Sequence, residues 1–145
     1  MSPPVYGVVI YESLTGNTRR AGHLIAGDLT ASGYPTTACP TTVIDYQALH
    51  EAELVVVGGW TDGLFFVGQR PGRASRLRKL PTLAGKRALC YVTYALDPGK
   101  ALDKLVAIVE GLGANVEGGM TIRRDKLAEG ASEFVDRALA NVLRA

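Results

Sequence analysis

Four side chains able to contact an anion fall within six residues, in the string Ser13-Leu14-Thr15-Gly16-Asn17-Thr18. The hydroxyls of Ser13, Thr15 and Thr18 and the amide of Asn17 can each donate to an oxyanion, and Gly16 allows a tight turn among them. An apolar run from Val5 to Ile10 leads into the string, and a helix-like pattern leads away from it. The string is therefore expected to join a strand to a helix N-terminus. The unpaired N–H groups and positive dipole end of such a helix attract an anion. Other anion chemistries lack their residues. A Gly-x-x-x-x-Gly-Lys-[Ser/Thr] loop is absent, as is Gly-x-Gly-x-x-Gly after the first strand. A phosphatase nucleophile would need a cysteine in this loop, and a phospho-receiver would need clustered aspartates, where Glu12 and Asp62 are too few.

The elements that would position this loop follow from periodicity. Val5–Tyr11 is nearly all apolar and reads as a buried parallel strand. Ala21, Leu24, Ile25, Ala26 and Leu29 recur at helical spacing, with Gly33 and Pro35 ending that helix. Thr36–Val43 reads as an edge strand, since Pro40 interrupts it. Asp45–Glu51 is a short helix, and Glu53–Gly59, with Leu54-Val55-Val56-Val57, is the clearest strand. It runs into Gly58-Gly59-Trp60-Thr61-Asp62-Gly63, expected as a loop. Part of Gly68–Lys79 is helical, and Ala88–Tyr94 is a fourth strand. Asp97 and Pro98 suit a helix start, followed by the apolar face Ala101, Leu102, Leu105, Val106, Ile108, Val109 and Leu112 and a stop at Gly113. Asn115–Ile122 is a fifth, glycine-broken strand, and Glu129–Leu143 the last helix. Five β-α units imply an α/β sandwich with a five-stranded parallel sheet and helices on both faces. Ligands of such sheets bind beyond the carboxyl ends of the strands.

The 145 residues suit one domain over positions 1–145. An apolar fraction of 47% with 21% charged residues is an ordinary globular composition. No apolar run approaches the ~20 residues of a membrane span, and Met1-Ser2-Pro3-Pro4 lacks the features of a secretory signal, so a cytoplasmic location is expected. His23 and His50 stand alone, and no Cys-x-x-Cys or Cys/His cluster suggests a metal. Cys39 and Cys90 lie in apolar or β-branched runs and read as buried thiols. With strand order 2-1-3-4-5, their strands lie roughly 14 Å apart, beyond the ~7 Å a disulfide tolerates.

The stretch Ser13–Thr18 resembles the flavodoxin phosphate loop, [Ser/Thr]-x-Thr-Gly-x-Thr, at each defined position and in the expected place after the first strand. The likeness extends over nearly the whole chain as a short-chain flavodoxin-like sandwich. It implies noncovalent FMN, with the phosphate on Ser13, Leu14, Thr15, Gly16, Asn17 and Thr18. The flavin ring would lie between the loops after the third and fourth strands, at Gly59, Trp60, Thr61, Asp62 and Gly63 and at Thr93, Tyr94 and Ala95. Trp60 and Tyr94 are the candidate stacking rings. In this family a peptide of the Gly59–Gly63 loop responds to flavin protonation, and Gly58, Gly59 and Gly63 would let it turn cheaply.

Two features depart from the family. Trp60 comes early in its loop, with Asp62 near the usual aromatic position. The charge is +2 rather than strongly acidic. Between Gly63 and Leu96 there is no Asp or Glu, whereas Arg70, Arg73, Arg76, Arg78, Lys79, Lys86 and Arg87 are present. That run is expected to be either a solvated face or a docking surface for an acidic redox partner protein or a phosphorylated reductant such as NADPH. The resemblance implies an electron carrier between a reductase and an acceptor. The alternatives are a flavin-dependent quinone or small-molecule reductase, with Leu64–Pro71 walling a substrate pocket, and an interaction module without FMN.

Overall fold

The computed structural model describes residues 4–62 and 68–143. Its elements run β1 (Gly7–Tyr11), α1 (Asn17–Ala31), β2 (Thr36–Pro40), α2 (Tyr46–Glu51), β3 (Leu54–Asp62), β4 (Arg70–Pro71), α3 (Ala74–Arg78), β5 (Arg87–Tyr94), α4 (Ala101–Gly111), β6 (Asn115–Arg123) and α5 (Leu127–Asn141). The main sheet has the order β2-β1-β3-β5-β6, all parallel. This is the expected 2-1-3-4-5 order of five strands. The addition is β4, a two-residue strand antiparallel to the end of β3.

Alternation along the buried strands builds the three layers. Val8, Ile10, Val55, Val57, Cys90 and Val92 face a core shared with Leu49 of α2, Leu77 of α3 and Leu105 and Val109 of α4. Val9, Val56, Leu89 and Tyr91 face the opposite core, with Ile25 and Leu29 of α1 and Phe134 and Val135 of α5. Both faces of β1, β3 and β5 are thus dry, which explains why these strands are nearly unbroken apolar runs. The far end of α1 closes as anticipated: Gly33 has φ 96°, its N–H reaches Thr30 O, and Tyr34 N–H reaches Leu29 O. This is the Schellman pattern that requires a left-handed residue.

Several boundaries differ from the sequence reading. β2 stops at Pro40, which cannot donate to a ladder. α3, five residues long, falls inside the expected stretch Gly68–Lys79. Asp97 does not cap α4; its carboxylate accepts from Gly99 N–H (2.8 Å), closing a local turn before the helix begins at Ala101. Asp45, by contrast, caps α2 through Ala48 N–H (3.0 Å). The largest difference is at β3, which continues as strand through Gly58, Gly59, Trp60, Thr61 and Asp62. Trp60 pairs with Thr93 across β5, and Thr61 with Pro71 across β4.

Cys39, Ile10, Val57 and Cys90 occupy one row across β2, β1, β3 and β5. The two thiols are free and buried, three strand spacings or roughly 14 Å apart. Burial, with a smaller contribution from the Glu110 charge, pushes the Cys90 thiol up to about 12. An unfolded thiol titrates near 9, so above that pH the unfolded chain sheds a proton that the folded chain keeps. Stability is then present in full below about pH 9 and falls as pH rises towards 12, by roughly 4 kcal/mol at the top of the window. Burial of Tyr91 acts in the same direction. Urea titrations at pH 8, 10 and 11 should show this decline, with a smaller decline in Cys90→Ala. Equal slopes in the two proteins would rule out the thiol as a cause.

Candidate functional site

The loop from Glu12 to Gly16 connects β1 to α1 at the carboxyl end of the sheet. Gly16 has φ 99° and ψ −11° at the helix N-cap and, having no side chain, leaves the helix N-terminus uncapped. A residue with a Cβ is strained in that conformation. Gly16 N–H donates to Ser13 Oγ (3.2 Å), which closes the turn, and Asn17 Nδ2 donates to Thr15 Oγ1 (3.4 Å). The first helical bond runs from Arg20 N–H to Gly16 O (2.9 Å), so the N–H groups ahead of it have no partner within the helix. The first turn contains no acidic residue. The electrostatics therefore suit an incoming anion.

The start of α1 is fixed from beneath. Thr18 Oγ1 and Thr93 Oγ1 are 2.8 Å apart, and both residues are buried. The Tyr91 hydroxyl donates to Thr18 O at 2.7 Å. Tyr91 is completely enclosed. A Cβ on Gly58 would lie 2.0 Å from Tyr91 Cζ, and one on Gly22 2.7 Å from its hydroxyl. Gly58 is thus a space for the Tyr91 ring within β3, rather than a hinge in a loop. Gly59 likewise lies in the strand; a Cβ there would meet Leu105, Leu77 and Pro71 at 3.8–3.9 Å.

A cleft of about 170 Å³ lies between the loop and the ends of β3 and β5. Leu14, Thr15, Asn17 and Thr18 form one wall, and Trp60, Thr61, Thr93, Tyr94 and Ala95 the other. The structure thus gathers nine of the fourteen anticipated residues around one space. Ser13 and Gly16 shape the loop from behind, Gly59 faces the helices, and Gly63 lies outside the described residues, as do Phe65 and Phe66 of the expected substrate wall. Asp62 does not line the cleft; its carboxylate is 3.7 Å from Arg70 across the β3–β4 pair, both half exposed. The Trp60 indole fills the space at Gly72, where a Cβ would be 1.9 Å from it. Trp60 Nε1 and Thr61 Oγ1 are buried with no hydrogen-bond partner among the described residues.

The hydroxyl and amide donors and the open helix N-terminus fit a phosphate monoester. The described walls enclose less than the ~300–1,000 Å³ of pockets that bury drug-sized ligands. They therefore fit the phosphate end of a ligand more completely than a large ring.

Residues unmarked by any local pattern complete the site. Arg124, just past β6, lines the cleft. Glu12 is 2% exposed. Its Oε1 accepts from Thr41 Oγ1 (2.8 Å) and Arg76 Nη1 (3.2 Å), and its Oε2 lies 3.5 Å from Arg73 Nη1. Arg73 holds φ 49°, a left-handed conformation that side chains rarely adopt. The one sequence signal for this cluster was the acid-free basic run.

That run is not one surface. Lys86 turns to His50 O and Ala52 O, and Arg87 to Glu117 and Val142 O, at the opposite end of the sheet. Arg70, Arg73 and Arg78 instead join Lys104 around a groove of about 910 Å³ beside α4, with no acidic residue in its lining among the described residues.

No protein-family model matches the sequence, and no curated protein matches it. Solved structures do match in three dimensions. The two-electron reduced flavodoxin of Megasphaera elsdenii superposes with a TM-score of 0.66 at 18% identity, over 88% of this chain and 98% of that one. Oxidised Flavodoxin 2 of Bacillus cereus gives 0.62 at 21% identity, over 92% and 99%. The flavodiiron core from Synechocystis sp. PCC6803 gives 0.65 at 17% identity, over 94% of this chain but 36% of that longer one. The chain therefore has the flavodoxin-like fold. Among the described residues, no helix is long and apolar enough to cross a membrane.

Proposed function

We propose that the protein is a flavodoxin-like electron carrier that binds FMN noncovalently in the cleft between Ser13–Thr18 and the ends of β3 and β5. The observation that carries this reading is the open N-terminus of α1 behind a left-handed Gly16, with Thr15, Asn17 and Thr18 facing Thr61, Thr93 and Tyr94 across one space. The likeness to flavodoxins over nearly the full length of both chains supports it. Thr15, Asn17 and Thr18 would hold the phosphate, and Trp60 and Tyr94 would cover the ring and exclude water. When bound, the flavin supplies one-electron and hydride-level redox chemistry, and the chain supplies binding, orientation and electrostatics. Titration of the apoprotein with FMN should quench flavin fluorescence at one equivalent per chain, and heating should release the flavin. An apoprotein that leaves FMN fluorescence unchanged would defeat the reading. Sustained NAD(P)H consumption with a quinone and no added reductase would replace the carrier with an enzyme.

The groove lined by Arg70, Arg73, Arg78 and Lys104 suits an acidic redox partner protein; NADPH is the small-molecule alternative. Substituting Arg73 or Arg76 would also disturb Glu12, so Arg78 and Lys104, both exposed, are the better probes. In Arg78→Glu/Lys104→Glu, oxidation of the reduced flavoprotein by anionic ferricyanide should slow about tenfold at low salt relative to cationic hexaammineruthenium(III), and the difference should fade at high salt. A ratio of rates that ignores the substitutions would remove the groove from the electron-transfer surface.

A further inference from the structure

On the far side of the loop from the flavin cleft lies a second cavity of about 510 Å³. Ser13, Leu14 and Gly16 form the wall facing the loop, Pro40, Thr41 and Thr42 close it from the end of β2, and Arg19 and Arg76 reach it from α1 and α3. Leu14 lines both spaces, and it is half exposed. A ligand whose first phosphate rests on the loop could therefore continue over Leu14 into the second cavity.

The charge of this cavity is set by its arginines. Glu12 is the one acid in its lining. Both of its oxygens are already occupied by Thr41, Arg73 and Arg76, and its side chain is 2% exposed. Arg76 spends one donor on it and is 46% exposed, which leaves most of its five donors for another oxyanion. Arg19 is exposed. Counting Arg73 with them, three cations oppose one carboxylate. The hydroxyls of Thr42 and Ser13 add neutral donors. The volume exceeds the needs of a bare phosphate and falls within the range of pockets that take a nucleotide-sized ligand. Leu14 and Pro40 supply apolar wall.

The geometry points to a second phosphoryl subsite, formed by Arg19 and Arg76, that takes the phosphate ester of a nucleotide-sized ligand. Two sources share this chemistry: the second phosphoryl group of a dinucleotide flavin whose inner phosphate sits on Ser13–Thr18, or a separate nucleotide bound beside the mononucleotide flavin, with adenine nucleotides as the probes for both. The first source rests on the flavin reading above; the second stands without it.

The test compares FMN, FAD and adenosine 2′,5′-bisphosphate, with adenosine as the control lacking phosphate, on wild type, Arg19→Gln and Arg20→Gln. Arg20 carries the same charge on the same helix turn and lines neither cavity, so it reports the general field. If the dinucleotide is the ligand, FAD binds wild type at least about tenfold more tightly than FMN, the effect of one charge-assisted hydrogen bond. Arg19→Gln abolishes that preference, and Arg20→Gln keeps it. If the ligand is separate, the bisphosphate binds the FMN-loaded protein, adenosine does not, and Arg19→Gln weakens binding about tenfold more than Arg20→Gln. FAD no tighter than FMN together with no bisphosphate binding at millimolar concentration overturns the proposal, as do equal effects of the two substitutions. Failure of both flavins to bind would defeat the flavin reading alone, because the bisphosphate titration of the apoprotein still decides the subsite.

Discussion

Replacing Arg73 and Arg76 together with glutamine is expected to destabilise the fold by about 3 kcal/mol, far more than two surface substitutions should. The reason is Glu12. Its side chain is almost sealed from water, and two of its three neutralising or donating partners are these guanidinium groups, at 3.5 and 3.2 Å. Without them, a buried carboxylate keeps only the Thr41 hydroxyl. The arginines are 41% and 46% exposed. Solvent screens their side of each pair, which places the cost at the lower end of the ~3–5 kcal/mol seen when a buried ion pair loses one partner. The burden falls on the acid, so adding Glu12→Gln to the double variant should recover most of the loss. Glutamine is the better replacement at position 73, because glycine would also relieve the left-handed backbone there. Urea denaturation of the wild type, the double variant and the triple variant checks this. A double variant within 1 kcal/mol of wild type, or a triple variant no better than the double, would show that Glu12 does not depend on the arginines.

This cluster also shows where sequence reading stops. The arginine partners of Glu12 stand 61 and 64 residues further along the chain. Nothing local marks a glutamate at a strand end as buried. The loop of Ser13 to Thr18 was legible because its chemistry is contained in adjacent residues, and β1 and β5 were legible because burial on both faces writes an unbroken apolar run. The acid-free run from Arg70 to Arg87 was visible as composition. Its division was not, because Lys86 and Arg87 are carried by β5 to the end of the sheet away from the cleft. Asp97 failed for a local reason: Asp-Pro-Gly offers a turn of its own, and the carboxylate takes Gly99 N–H before the helix can use it. Gly58 and Gly59 suggested a loop, because glycine ordinarily weakens strands. The cause for Gly58 lies across the sheet, where it meets a ring from β5 that no spacing in the sequence announces.

That ring supports the second large expectation, a loss of about 3 kcal/mol or more in Gly58→Ala. In an ordinary strand, exchanging glycine for alanine is favourable by ~0.5–1 kcal/mol. Here the new methyl would lie 2.0 Å from Cζ of Tyr91 and 2.3 Å from Cε1 and the hydroxyl. The ring has nowhere to go: its hydroxyl is bonded to Thr18 O, Gly22 presses on it from α1, and Phe134 packs at its edge with centroids 6.1 Å apart. Either β3 moves away or Tyr91 leaves Thr18, and a forced rearrangement of this kind costs at the upper end of ~1–3 kcal/mol for overpacking, with the hydrogen bond in addition. A double-mutant cycle with Tyr91→Leu isolates the clash. In the leucine background, with the ring removed, Gly58→Ala should cost close to nothing, although Tyr91→Leu is itself destabilising. The same cycle read by FMN affinity links the core to the site. If Tyr91 holds the first turn of α1 against the cleft, Gly58→Ala weakens flavin binding in the tyrosine background and leaves it nearly unchanged in the leucine one. A penalty for Gly58→Ala that is equal in both backgrounds would mean that the glycine serves the strand itself and not the ring beneath the loop of Ser13 to Thr18.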